Sequence, residues 1–265
     1  VADPALSTTA YRLSDLLFGL YAWTLFGSFA VAVVPLLLLT PSLQRRRSLV
    51  RGVARLVLRL VRMRVHVHGL EHISTPCVVI ANHQSYLDGV VLQAVLPTSF
   101  SFVIKREMSS VPLAGTLLRR IGAEFVERQH HHRSANDARR LMRTAAQGQA
   151  LAFFPEGTFS AEIGLLRFHI GAFAAAARAN LPVIPIAIRG TRRCLPPERA
   201  LPSAGLIDVE VLAGIPVPQA ATAAEAADRP RQMRDAARAA LLAALGEPDL
   251  TLRTPAADAL SDQHA

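Results

Sequence analysis

The sequence predicts an α/β domain behind an apolar N-terminal segment, and three observations predict it. Short apolar runs alternate with helix-length segments between residues 64 and 212, the pattern of a sheet layered with helices. Residues 16–39 carry no charge over 24 positions, which as a helix would reach about 36 Å, enough for a hydrocarbon core of about 30 Å. A chain of 265 residues suits one sizeable core with an appendage, not two full enzymatic domains.

Taken in order, residues 16–39 belong in or on a membrane, and both a spanning and a re-entrant placement are open. A cleaved leader is disfavoured, because Asp3 and Asp15 stand against a single Arg12 before the run, and the run exceeds a usual signal core. Arg45, Arg46 and Arg47 follow at once, and the positive-inside preference assigns that flank and the domain after it to the cytoplasmic face. From residue 48 to 64, Val50, Val53, Val57 and Leu60 recur at helical spacing beside a stripe of Arg51, Arg55, Arg59 and Arg62. Such a helix can pack on its own domain; next to an apolar anchor it reads as interfacial, touching anionic head groups.

Strands are expected at 64–68, 78–81, 101–105, 123–126, 150–154 and 183–188, with a further one near 207–212 at an edge of the sheet. The clearest helix is expected from Ala135 to about Gln147, capped by Ser134-x-x-Asp137 and stopped by Gly148. His130, His131 and His132 are adjacent and so point in different directions, which reads as a polar loop and not as a metal site. Beyond Pro218 the chain is rich in alanine, with Met233, Ala237, Leu241 and Leu245 on one helical stripe, and residues 246–265 read as a polar, disordered tail. The expected organisation is therefore a membrane anchor and basic helix at 1–64, the α/β domain at 65–217, and a helix with a tail at 218–265.

The net charge of +9 is almost all arginine, since Lys105 is the only lysine. That balance suits phospholipid surfaces, phosphate esters or nucleic acid. Nucleic acid is disfavoured, because aromatics make up 6% of residues and no stacking module interleaves them with the arginines. Cys77 and Cys194 are the only cysteines and give no disulfide framework, which points to a reducing compartment.

Chemistry concentrates at residues 82–88, Asn-His-Gln-Ser-Tyr-Leu-Asp, where the apolar run 77–81 gives way to a helical pattern. Strand-to-helix junctions border the ligand crevice of an open α/β sheet. An imidazole there can take a proton from an alcohol near neutral pH, and a carboxylate can orient it. His83 and Asp88 fit those roles if the chain turns between them. Ser85-x-x-Asp88 equally fits a helix capping box, and both readings are open at this level.

These residues resemble the glycerolipid acyltransferases typified by 1-acylglycerol-3-phosphate (lysophosphatidate) acyltransferase. Four blocks match in order: His83-x4-Asp88, Gly122-Ala123-Glu124-Phe125-Val126-Glu127-Arg128, Phe154-Pro155-Glu156-Gly157-Thr158 and Val183-Ile184-Pro185-Ile186, together covering roughly residues 66–215. The resemblance implies a single mixed-sheet domain with helices on its faces and a two-helix membrane motif before it. It also implies His83 as general base, Asp88 as its partner, and Arg128 as a phosphate contact, which the forked guanidinium geometry suits. Glu156, Gly157 and Thr158 are expected to line the substrate, with Lys105 and Arg167 as further cationic contacts. The implied donor is an acyl coenzyme A or acyl carrier protein thioester, and the implied acceptor a lysophospholipid; no metal or other cofactor is called for. One departure stands out: many members have arginine directly after Glu-Gly-Thr, and here it is Phe159. Two other functions are therefore kept open: acyl transfer to another amphiphile, such as an amino-acid-derived or glycan lipid, and a basic membrane-associated binding protein without enzymatic activity.

Overall fold

The computed structural model describes residues 12–127 and 131–252, with backbone only for 131–136 and 138. Its strands are β1 (Met63–His68), β2 (Val78–Ala81), β3 (Phe100–Lys105), β4 (Glu124–Val126), β5 (Ala150–Phe153), β6 (Val183–Arg189) and β7 (Gly205–Val211). The helices are α1 (Leu13–Leu39), α2 (Leu43–Leu60), α3 (Leu87–Val95), α4 (Ala114–Arg120), α5 (His131–Ala146), α6 (Gly171–Ala179), α7 (Thr191–Cys194) and α8 (Ala223–Leu245).

The sheet runs β1-β7-β6-β2-β5-β3-β4 and is mixed: β6 and β7 are antiparallel, and every other neighbouring pair is parallel. Its central strands are apolar without alternation, and β2 (Val-Val-Ile-Ala) is buried at every position, as a strand covered on both faces must be. Helices α2 and α3 cover one face, with Val57, Leu58, Val91 and Leu92 packed among Val79, Ala81, Ile184 and Ile186. The other face lies under α5, α6 and α8, with Leu141, Phe173 and Met233 packed among Val78, Ile80 and Leu151. In β6, Pro185 has no N–H to give and lies one residue beyond the β7 ladder, which begins at Ile186. Because Ile80 stands opposite Phe153, the ends of β2 and β5 release His83 and Phe154 side by side at one sheet edge.

Four expectations change. Strand β7 is interior and β1 is the edge; β7 alternates because Ile207, Val209 and Val211 face the core while Asp208 and Glu210 take the Arg189 guanidinium at 2.8 and 2.7 Å. Helix α5 begins at His131, so His131 and His132 lie in a helix and not a loop, and Ser134 lies inside the helix; His130 is outside the described residues. Asp137 does not cap α5. It accepts from the Glu127 N–H at 2.8 Å and from Arg106 and Arg140, tying the helix to the end of β4.

The arginines of α2 largely serve the protein itself. Arg47 is buried and donates to the carbonyls of Ile121 (2.9 Å), Thr98 (3.2 Å) and Ser99 (3.3 Å) and to Ser101 Oγ (2.5 Å), and burial lowers its pKa. Arg51 and Arg55 donate to the carbonyls of Val95 and Ala94 at 2.8 and 2.7 Å, meeting the unpaired groups and negative dipole at the end of α3. The stripe is thus half a packing device. Arg59, Arg62 and Arg64 are exposed and make no ion pair among the described residues.

Helix α1 has a mean hydropathy of 2.1 over its most apolar window, long and apolar enough to cross a membrane. It also packs along the domain. Trp23 Nε1 donates to the Ala200 carbonyl at 2.6 Å, and further on Val33 and Leu37 are buried against Val50 and Ile121. Leu16, Leu17, Leu20, Val31, Leu36 and Leu39 face outward.

Candidate active site

His83 and Asp88 meet because the chain turns between them, with Tyr86 already helical in backbone and α3 beginning at Leu87. His83 Nδ1 lies 2.8 Å from Asp88 Oδ2. The same oxygen accepts the backbone N–H groups of Gln84 at 2.6 Å and Ser85 at 2.8 Å. Ser85 Oγ accepts in turn from the Leu87 N–H at 3.2 Å and donates to the Leu195 carbonyl at 2.7 Å. The expected capping box is only half formed: Tyr86, not Ser85, precedes α3, and the Asp88 N–H goes to the Ser85 backbone carbonyl at 3.1 Å, yet a single buried carboxylate holds both the imidazole and the Ser85 N–H. An ionised carboxylate only accepts, so Nδ1 carries the proton in this contact and the imidazole turns Nε2, its basic nitrogen, outward.

Aromatic rings hold the imidazole in place. Phe154 stacks on it at 4.3 Å between centroids, and Phe159 meets it edge-on at 4.5 Å. Tyr86, largely exposed, packs edge-on against Phe159 at 4.7 Å. Phe159 thus stands as a wall beside the histidine.

Glu156 sits where β5 ends, followed by Gly157 at φ +77°, a left-handed conformation that glycine adopts without strain. Its carboxylate turns inward onto two loop amides. It is buried, with Oε1 accepting the His83 N–H at 2.7 Å and Oε2 the Leu166 N–H at 2.8 Å, so it joins the two loops flanking the imidazole. Asn82 is a second clamp that sequence reasoning passed over. Its amide exchanges two hydrogen bonds with the backbone of Ile188, at 2.9 and 2.7 Å, locking the end of β2 to β6.

The acyltransferase family model matches residues 64–189, and its span contains both clamps and the His–Asp pair. This stretch of the α/β domain is similar to the acyltransferase family. Similar proteins include the chloroplastic 1-acyl-sn-glycerol-3-phosphate acyltransferase BAT2 of Brassica napus, 35% identical over 133 residues, which are 49% of this chain and 38% of that protein. The lyso-ornithine lipid O-acyltransferase of Rhizobium meliloti is 35% identical over 152 residues, 57% of this chain and 51% of that protein. The chain thus spans about half or less of the length of these relatives. The crystal structure of the 1-acyl-sn-glycerophosphate (LPA) acyltransferase PlsC from Thermotoga maritima superposes with a TM-score of 0.67 at 20% identity, covering 85% of this chain and 95% of that one, which shows a shared fold.

Within this domain the remaining predicted contacts are spread along the same sheet edge. Lys105 ends β3, two strands from β2; Thr158 and Arg167 follow β5 on the loops beside Glu156. All three side chains are exposed, and Lys105 and Arg167 make no ion pair among the described residues. Arg128 lies outside the described residues.

Burial pushes the Glu156 carboxyl up to about 7, with Asp88 adding to the rise and the two N–H donors opposing it. Unfolded, the group ionises at its ordinary 4.5. Between those values the native state keeps a proton that the unfolded state has released, so this contribution is fully present below pH 4.5 and is lost as pH rises through 7. The loss amounts to roughly 3 kcal/mol. Glu156→Gln should flatten the decline of stability across that window, as read by urea unfolding at a series of pH values, even though the amide costs an acceptor. An unchanged slope would show that Glu156 titrates normally.

Proposed function

We propose that the protein transfers a fatty acyl group from an acyl coenzyme A or acyl carrier protein thioester to the free hydroxyl of a lysophospholipid, with 1-acyl-sn-glycerol-3-phosphate as acceptor and phosphatidate as product. The observation that carries this reading is the imidazole of His83, held through Nδ1 on a buried carboxylate with its other nitrogen turned outward. In this scheme Nε2 removes the hydroxyl proton as the oxygen attacks the thioester carbonyl. Collapse of the tetrahedral adduct breaks the carbon–sulfur bond, and the departing thiolate takes the proton back from the imidazolium. The products are an ester and a free thiol, and Asp88 stays ionised throughout, offsetting the charge on the ring.

The acceptor phosphate is assigned to Arg128 and Lys105, with Arg167 as a further contact. The apolar outward residues of α1 are assigned to a membrane and the domain to its cytoplasmic face, supported by Arg45 and Arg46 in the first turn of α2. Because α1 packs along the domain, it lies beside the domain and does not project from it. Arg59, Arg62 and Arg64, together with Arg55 and His66, line a groove of about 610 Å³ between α2 and β1, a cationic surface suited to anionic head groups.

A second reading of the acceptor rests on Phe159, whose ring packs on His83 where many members carry arginine. An aromatic wall there suits an acceptor with an uncharged or apolar group in place of phosphate, and one similar protein is named for acylating lyso-ornithine lipid. Steady-state kinetics on lysophosphatidate beside a neutral monoacylglycerol separate the two. If the phosphate is recognised, Arg128→Ala raises the acceptor KM far more than the donor KM, by roughly ten- to a hundredfold for a lost charge-assisted contact. Arg128→Lys restores only part, since an ammonium makes no bidentate contact. Equal use of both acceptors, with Arg128→Ala indifferent, would refute phosphate recognition.

A further inference from the structure

The segment after α8 was expected to be a disordered tail, yet Gly246 to Leu252 is laid across the active-site loops; residues 253–265 are outside the described ones. Leu165 pairs with it on both sides, its N–H donating to the Pro248 carbonyl at 2.9 Å and its carbonyl accepting from Leu250 at 3.2 Å. Gly164, at φ +145°, permits that approach, since a Cβ there would lie 2.6 Å from Leu250 Cγ and 2.7 Å from the Pro248 carbonyl oxygen. Arg238 of α8 bonds the carboxylate of Asp249 and donates to the carbonyls of Leu166 and Leu165 at 2.7 and 2.9 Å.

Within this strap Glu247 reaches the loop between His83 and Asp88. Its Oε1 accepts from Gln84 Nε2 at 2.9 Å, and the backbone N–H of that same Gln84 donates to Asp88. Its Oε2 lies 3.9 Å from Arg192 Nη2 on α7. Arg192 Nη1 in turn donates to the carbonyls of Glu162 at 2.5 Å and Ala161 at 3.3 Å, in the segment that follows Phe159. One carboxylate thereby bonds the His–Asp loop and faces the arginine that holds the segment after Phe159. It lies well beyond residue 189, where the match to the family model ends.

We propose that Glu247 is a positioning residue for acyl transfer: through its hydrogen bond with Gln84 it fixes the loop carrying His83 and Asp88. This rests on the acyl-transfer reading above, and Glu247 itself touches neither His83 nor the reacting atoms. Small misplacements of a catalytic group cost up to about a hundredfold in rate. In the full-length protein, Glu247→Ala should lower kcat roughly ten- to a hundredfold while both KM values stay within about twofold. Glu247→Gln keeps an oxygen for Gln84 and should restore most of kcat. The double variant Gln84→Ala/Glu247→Ala should be no slower than the slower single variant, because both break one contact.

A readout that needs no turnover accompanies these. Amide hydrogen exchange at Gln84 and Ser85, the two N–H groups held by Asp88, should quicken by about tenfold or more in Glu247→Ala, with exchange in β5 and β6 unchanged. A normal kcat in Glu247→Ala, losses that add in the double variant, or unchanged exchange at Gln84 and Ser85 would each overturn the positioning role. If wild-type protein acylated no lysolipid, the acyl-transfer reading would fall, while the exchange measurement would still decide whether Glu247 orders the loop.

Discussion

Replacing His83 by alanine is expected to reduce acyl transfer by about 10²–10⁴-fold, the usual contribution of a positioned general base. The expectation follows from how completely the ring is committed. One nitrogen is held on Asp88, Phe154 stacks on the ring and Phe159 packs against it in a T-shaped contact, leaving a single nitrogen to act. Folding should survive, because the side chain is 19% exposed and the loop keeps its backbone contacts with Glu156 and Asp88. Thermal melting and turnover on lysophosphatidate together check this: a folded variant retaining more than half the activity would refute the base assignment. A binding protein that used only its arginines would be indifferent to the change, so the same experiment excludes the non-enzymatic alternative.

Asp88→Asn should damage both chemistry and stability, and the balance tells which of its two roles dominates. Oδ2 collects three donors, from the imidazole, Gln84 and Ser85, whereas Oδ1 is buried without a partner among the described residues. If the amide oxygen keeps the three donors, the new NH₂ is buried with nothing to bond. If the amide flips, it points hydrogens at hydrogens. Either outcome costs about 1–3 kcal/mol for unsatisfied buried groups. The neutral amide also cannot stabilise an imidazolium, so kcat should fall by about 10²–10⁴-fold. Urea unfolding measured beside kcat decides the matter: lost stability with wild-type kcat would make Asp88 a helix cap alone.

Much of the sheet was legible because buried parallel strands are written as unbroken apolar runs; β2 was read at its observed limits, 78–81. The pairing of His83 with Asp88 was legible as a spacing, though not the fact that one oxygen holds the imidazole and the N–H groups of Gln84 and Ser85, which depends on the turn at Tyr86. What misled were features whose partners are distant in sequence. The arginines of α2 looked like a surface stripe because the carbonyls that bind Arg47 and Arg51 come from residues 94–121. Strand β7 looked like an edge because its polar face is satisfied by Arg189. The strap looked disordered because Glu247 and Asp249 are ordinary polar residues until Gln84 and Arg238 reach them. In Glu156 the sequence marks the position without its direction, since only the fold turns the carboxylate inward onto two amides.

The edge position of β1 carries a consequence for the order in which the chain can assemble. Among the described residues its only ladder partner is β7, about 140 residues downstream. At about 5–20 residues per second on the ribosome, β1 waits on the order of ten seconds for that partner. Meanwhile α1 and α2, already synthesised, lack the Ile207, Val209 and Val211 side chains that complete the core beneath them. The edge strand and the two helices before it are therefore among the last elements to be closed, and a nascent chain stopped before residue 205 leaves the face of the sheet under those helices unfinished.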